Sequence, residues 1–103
     1  MQVNPLRITK QWELYDTVAG GAEVTIPADV EEVIVELSAS SISFNCYLST
    51  IQSSNTFRYG YYANNSNYAN AYVTWNFTTR KVASGGISYA GTAQTTTVRV
   101  YVR

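Results

Sequence analysis

Apolar and polar residues alternate with a period of two along most of this chain, and the alternation stops at short clusters of glycine, proline, asparagine and serine. That period places successive side chains on opposite faces of a strand. The first run covers 12–18, with Trp12, Leu14 and a later Val18. Gly20-Gly21 follows, a pair that tolerates positive φ and predicts a tight hairpin into a return strand over 22–26. Pro27-Ala28-Asp29 then breaks pairing, because proline cannot donate to a ladder. Residues 33–38 set Val33, Val35 and Leu37 against Ile34 and Glu36, and 42–51 alternates strictly before the polar turn Gln52-Ser53-Ser54-Asn55. Residues 56–62 are rich in aromatics and lead into the loop-like tetrapeptide Asn64-Asn65-Ser66-Asn67. Residues 68–79 place Ala71, Val73, Trp75 and Phe77 on one face. Ser84-Gly85-Gly86 predicts a turn into 87–89, and 96–103 closes the chain with Val98, Val100 and Val102 alternating with Thr97, Arg99, Tyr101 and Arg103.

About eight strands with turn signals every ten or so residues predict an antiparallel β-sandwich, jelly-roll-like, rather than a parallel sheet. The expected core is Trp12, Val24, Ile26, Val35, Phe44, Cys46, Val73, Trp75, Phe77, Val98 and Val100. Composition agrees with an all-β fold. Eleven Val, twelve Thr and nine Tyr dominate, while Leu appears four times and Met once. β-Branched and aromatic side chains suit a pleated, half-buried surface. A length of 103 residues fits one domain, placed at 12–103, with 1–11 as a lead-in arm or linker stub in which Asn4-Pro5 favours a turn.

Charge is balanced overall but unevenly spread. All seven carboxylates lie within the first 36 residues, giving that segment −5 with Arg7 and Lys10, against +5 for the rest. Two explanations stand side by side: strands of the two halves interleave, or opposite-sign faces meet across a subunit interface. Five scattered cations and no basic run give no nucleic-acid footprint.

The chemistry is mostly negative. With no histidine, Ser-His-Asp and Cys-His catalysis, most zinc sites and the usual general base near neutral pH are all excluded. The carboxylates are confined to the first hairpin and to 29–36, where Glu31 and Glu32 read as solvated turn residues, so a glycosidase dyad is disfavoured. No phosphate-binding glycine motif occurs and no cofactor is expected. Cys46, the single cysteine, falls in step with Ile42, Phe44 and Leu48 and reads as a small core residue. The opening residues lack the apolar run of a signal peptide, and no stretch approaches a membrane span. The expectation is a non-enzymatic, soluble domain.

One segment departs from plain strand chemistry: Phe57, Tyr59, Tyr61, Tyr62, Asn64, Asn65, Asn67 and Tyr68. Tyrosine offers an apolar face for a sugar ring with a hydroxyl beside it, and asparagine supplies donors and acceptors. Tyr59, Tyr61, Tyr62, Asn64, Asn65, Asn67 and Tyr68 are therefore the candidate ligand-binding residues. The competing explanation is a cross-strand tyrosine ladder that only stabilises the sheet. Alternation puts Tyr59 and Tyr61 on one face and Gly60 and Tyr62 on the other.

Trp12-Glu13-Leu14-Tyr15-Asp16, Val24-Thr25-Ile26-Pro27, Glu32-Val33-Ile34-Val35-Glu36, Tyr59-Gly60-Tyr61-Tyr62-Ala63 and Val100-Tyr101-Val102-Arg103 occur in this order. Together they resemble the small C-terminal β-domain of bacteriophage and prophage tail-associated proteins (tail fibre or baseplate-like) from Gram-positive hosts. The resemblance implies a non-catalytic tail or fibre-tip domain, structural or host-surface-binding. It further implies a homo-oligomer, a trimer being favoured, located in the virion tail after assembly in the host cytoplasm. A cell-surface glycan is the implied partner. The alternative is a carbohydrate-binding module of a bacterial surface or secreted protein.

Overall fold

The computed structural model describes residues 11–62 and 68–103. Most of the lead-in arm, with Asn4-Pro5, lies outside the described residues, as do Asn64, Asn65 and Asn67. Ten strands run in order: β1 (Glu13–Ala19), β2 (Glu23–Thr25), β3 (Glu32–Ala39), β4 (Ile42–Ser49), β5 (Asn55–Tyr62), β6 (Tyr68–Asn76), β7 (Lys81–Ser84), β8 (Ser88–Tyr89), β9 (Thr92–Ala93) and β10 (Thr97–Val102). They form two antiparallel sheets, β1-β10-β3-β4 and β2-β7-β6-β8-β9, with β5 on the other side of β6. The described residues contain no helix, and the fold is a β-sandwich. Its outermost pairs, β1 with β10 and β2 with β7, bring early and late strands together, while β3–β4 and β5–β6 are plain hairpins.

The core follows the alternation. Val33, Val35, Leu37, Cys46, Leu48, Val98 and Val100 from the first sheet meet Val24, Val73, Trp75 and Val82 from the second, all buried. Each such side chain withdrawn from water contributes roughly 1.5–3 kcal/mol. Cys46 is fully buried, and burial pushes its thiol pKa up, which leaves it an inert core residue. Trp75 satisfies its one polar atom by donating its indole N–H to Gln52 O at 3.1 Å, which ties the turn after β4 to the core. Arg80, in the β6–β7 turn, donates to Ile26 O (3.1 Å), Pro27 O (2.6 Å) and Val30 O (3.1 Å), so it staples the Pro27 loop to the second sheet.

Several expectations are corrected. Gly20-Gly21 is a turn but not a hairpin: β1 belongs to one sheet and β2 to the other. Gly20 N–H donates to Thr96 O and Gly21 N–H to Ser84 O, so the pair bridges the sheets at a crossover. Ser84-Gly85-Gly86 is a bulge. Three steps along β6, from Val73 to Asn70, face four steps from Ser84 to Ser88, and Gly86 takes up the extra residue at φ 77. Phe77 lies past the end of β6 and is 48% exposed, because Asn76 Oδ1 accepts from Thr79 N–H and turns the chain out of the sheet. Trp12 is half-buried on the outside of the first sheet, where its ring lies 4.5 Å from the Arg103 guanidinium. Phe44 is half-buried at the core margin. The strands expected over 42–51 and 68–79 end at Ser49 and Asn76, and β7 and β9 were not anticipated.

The uneven charge has a topological answer. Glu23–Lys81, Glu36–Arg99 and Glu32–Arg103 each join the acidic first third to the basic remainder within one chain. Interleaving of the halves accounts for the split. Glu32 is not a solvated turn residue but the first residue of β3, bonded to Arg103 and Tyr47.

Candidate functional site: a cleft at one end of the sandwich

β5 sorts its aromatics by parity, as strand geometry requires. Phe57 and Tyr59 point inward; the Tyr59 ring packs on Phe44 with centroids 6.1 Å apart. Its hydroxyl shares a hydrogen bond with Cys46, and burial, followed by that bond, pushes the phenol pKa well up. Tyr59 is therefore a neutral member of the core margin. Tyr61 has the same parity but sits two pairs nearer the end of the sheet, where it is 55% exposed. Tyr62 and Tyr68 face outward as a directly opposed cross-strand pair, with centroids 5.5 Å apart and planes tilted by 33°. The candidate residues thus divide among the core margin, the end of the sandwich and the outer face.

At the end of the sandwich Tyr61 opens onto a cleft of about 770 Å³. The opposite wall is the β3–β4 turn: Ser40, Ser41 and Ser43 line it with Ile42 and Phe44, and Tyr89 and Gln94 close the third side. Local sequence explains each wall. Ser40-Ser41 joins β3 to β4 in a two-residue turn, with Ser40 at φ 53. Ala90-Gly91, both at positive φ, folds β8 onto β9 in another two-residue hairpin and brings Gln94 back beside Ile87, to whose carbonyl its N–H donates at 2.8 Å.

No ionisable acid or base other than tyrosine lines this cleft. It offers rings, hydroxyls and one side-chain amide, with a volume inside the range of small-ligand sites. Such a lining can stack on an apolar ring face and hydrogen-bond hydroxyls, and it supplies no carboxylate pair for hydrolysis. A second groove of about 510 Å³, around Glu23, Lys81, Ser54 and Asn55, is more open, and its one aromatic, Trp75, is buried. Among the described residues no three His, Cys, Asp or Glu stand together to hold a metal ion. No helix there is long and apolar enough to cross a membrane.

Ser40, Ser41, Ser43, Tyr89 and Gln94 escaped the sequence reading. Serines beside a turn look like any solvated connection, and Ala-Gly is a weaker hairpin signal than Asn-Gly. Comparison with protein-family models, with curated proteins and with solved structures finds no match.

Proposed function

We propose that this domain is a non-catalytic recognition module that binds a cell-surface glycan in the cleft between Tyr61 and the β3–β4 turn. The observation carrying this reading is the cleft's lining: aromatic rings and hydroxyls facing one volume without a charged side chain. A sugar needs that combination, an apolar face to stack and hydroxyls to satisfy. The setting we favour is the tip of a phage tail-associated protein that contacts a Gram-positive wall, a setting supported by the order of the sequence segments that resemble such tips. The same cleft would serve a carbohydrate-binding module of a bacterial surface or secreted protein. Neighbouring tail and lysis genes favour the first setting and polysaccharide-utilisation genes the second.

The test is retention on purified Gram-positive cell walls and on a glycan array. The wild-type domain is expected to bind. Tyr61→Ala, at an exposed position, is expected to keep its melting temperature and to bind at least about tenfold more weakly, a loss of about 1.4 kcal/mol. Failure of the wild type to bind any glycan, or full binding by Tyr61→Ala, overturns the reading.

A further inference from the structure

Gly60 stands inside an eight-residue strand, where glycine weakens pairing and offers no side chain to pack. Five of the chain's six glycines have a reason in the fold. Gly21, Gly86 and Gly91 adopt positive φ. A Cβ on Gly20 would stand 3.0 Å from Gly86 Cα, and one on Gly85 would enter the Tyr72 ring, 1.9 Å from its nearest atom. Gly60 has neither reason. Its φ is not in the left-handed region, and a Cβ there would meet only Ala69 O, at an ordinary 3.9 Å. The fold accepts a side chain at this position and the chain does not carry one.

A side chain at Gly60 would stand on the outer face of β5, the face of its opposite neighbour Asn70. The cleft reaches Gly60 from one side. On the outer face Gly60 is flanked two residues away by the Tyr62–Tyr68 pair and, in the other direction, by Arg58 opposite Tyr72. Four residue steps, about 13 Å along the strand, separate those rows. Tyr62 is 75% exposed and Tyr72 42%. Asn70, directly opposite Gly60, also faces outward, and its Oδ1 accepts from the Ser88 hydroxyl of β8 at 3.1 Å. β5 pairs with β6 alone, so among the described residues no strand closes its other edge.

We infer that the ligand is an extended glycan chain, one end of which fills the cleft while the following units cross β5 at Gly60 and stack on the outer tyrosines. This rests on the cleft reading and adds the ligand's length and path. Close approach of a ligand to backbone is a recognised reason for glycine inside a strand. The ring pair beyond it supplies a stacking platform that tolerates a repeating polymer.

The experiment uses an array of linear oligosaccharides of graded length, from one unit upward, with wild type, Gly60→Ala, Gly60→Val, Tyr62→Ala and Tyr61→Ala. Wild-type affinity is expected to rise at least tenfold between ligands that fill the cleft and longer ones. Tyr62→Ala should abolish that gain while leaving the shortest ligand within about twofold, and Gly60→Val should abolish it too. Gly60→Ala should fold with an equal or higher melting temperature. A lower melting temperature for Gly60→Ala would show that the fold needs the glycine and would overturn the inference. So would a length gain retained by Tyr62→Ala, or wild-type binding that ignores length, while the cleft reading survives in each case. Wild type that binds no glycan, or binding unaffected by Tyr61→Ala, sinks both.

Discussion

The outer faces of the two sheets are built from the same kinds of residue and organised in opposite ways. On the first sheet the outward charges of β3, Glu32 and Glu36, are acidic, those of Arg99 in β10 and Arg103 just past it are basic, and the register sets Arg99 opposite Glu36. Arg103 reaches Glu32 through both carboxylate oxygens, at 2.9 and 3.4 Å. Tyr47 donates to the same carboxylate at 2.6 Å, and the Trp12 ring meets Tyr47 edge-on while stacking on Arg103. These polar groups are engaged with one another. Around Gly60 on the second sheet the outward residues are tyrosines, Arg58, an amide and a hydroxyl, and Gly60 itself adds no side chain. A network that bonds to itself orders a sheet and its termini. A face of exposed rings and uncovered backbone is free to bond to something else.

If that contrast is right, substitutions on the first face cost stability and leave binding alone, and those around Gly60 do the reverse. The largest stability effect is expected from Arg103→Ala, which removes the bidentate bond and the stacked guanidinium together. A fall of roughly 5 °C in melting temperature corresponds to about 1 kcal/mol in a domain of this size, and at least that fall is expected by calorimetry, with glycan retention unchanged. Weaker binding by this variant would break the comparison.

The next effect is one of pH. Arg103 first, and then Tyr47, hold the Glu32 carboxyl below the usual carboxylate range. A group whose pKa is depressed on folding adds stability above its unfolded value, near 4.3, and loses it as pH falls through the folded value. The melting temperature should therefore drop on acidification below about pH 4.3, and the drop should be shallower in Glu32→Gln. Equal acid limbs for the two proteins would show that the network contributes nothing. The smallest effect concerns Ser84, whose buried hydroxyl has no hydrogen-bond partner among the described residues. Ser84→Ala, at the edge of the bulge under the second face, should leave stability equal or raise it by up to about 1 kcal/mol in urea titration.

Alternation alone was enough to identify the all-β class, every expected core residue but Trp12, Phe44 and Phe77, and the opposed facing of Tyr61 and Tyr62. Period two is a property of the local backbone, so side-chain parity survives whatever a strand pairs with. It failed where the chain leaves the sheet: Phe77 keeps the right parity beyond the end of β6, and Trp12 precedes β1 and packs on Arg103 and Tyr47 outside the core. Glycine pairs mark a change of direction without saying whether the result is a hairpin, a crossover or a bulge. That outcome depends on the carbonyls of Thr96, Ser84 and Tyr72, which wait far away in sequence to accept the turns' amides. The cleft could not be read in the chain for the same reason. Ser40 to Ser43, Tyr61, Tyr89 and Gln94 become neighbours only when the two sheets pack. What local sequence dictated was which way each side chain points. Which side chains share a volume was decided by long-range pairing, since the hydrogen bonds that place β5 against β6 and β3 against β4 are blind to the side chains they bring together.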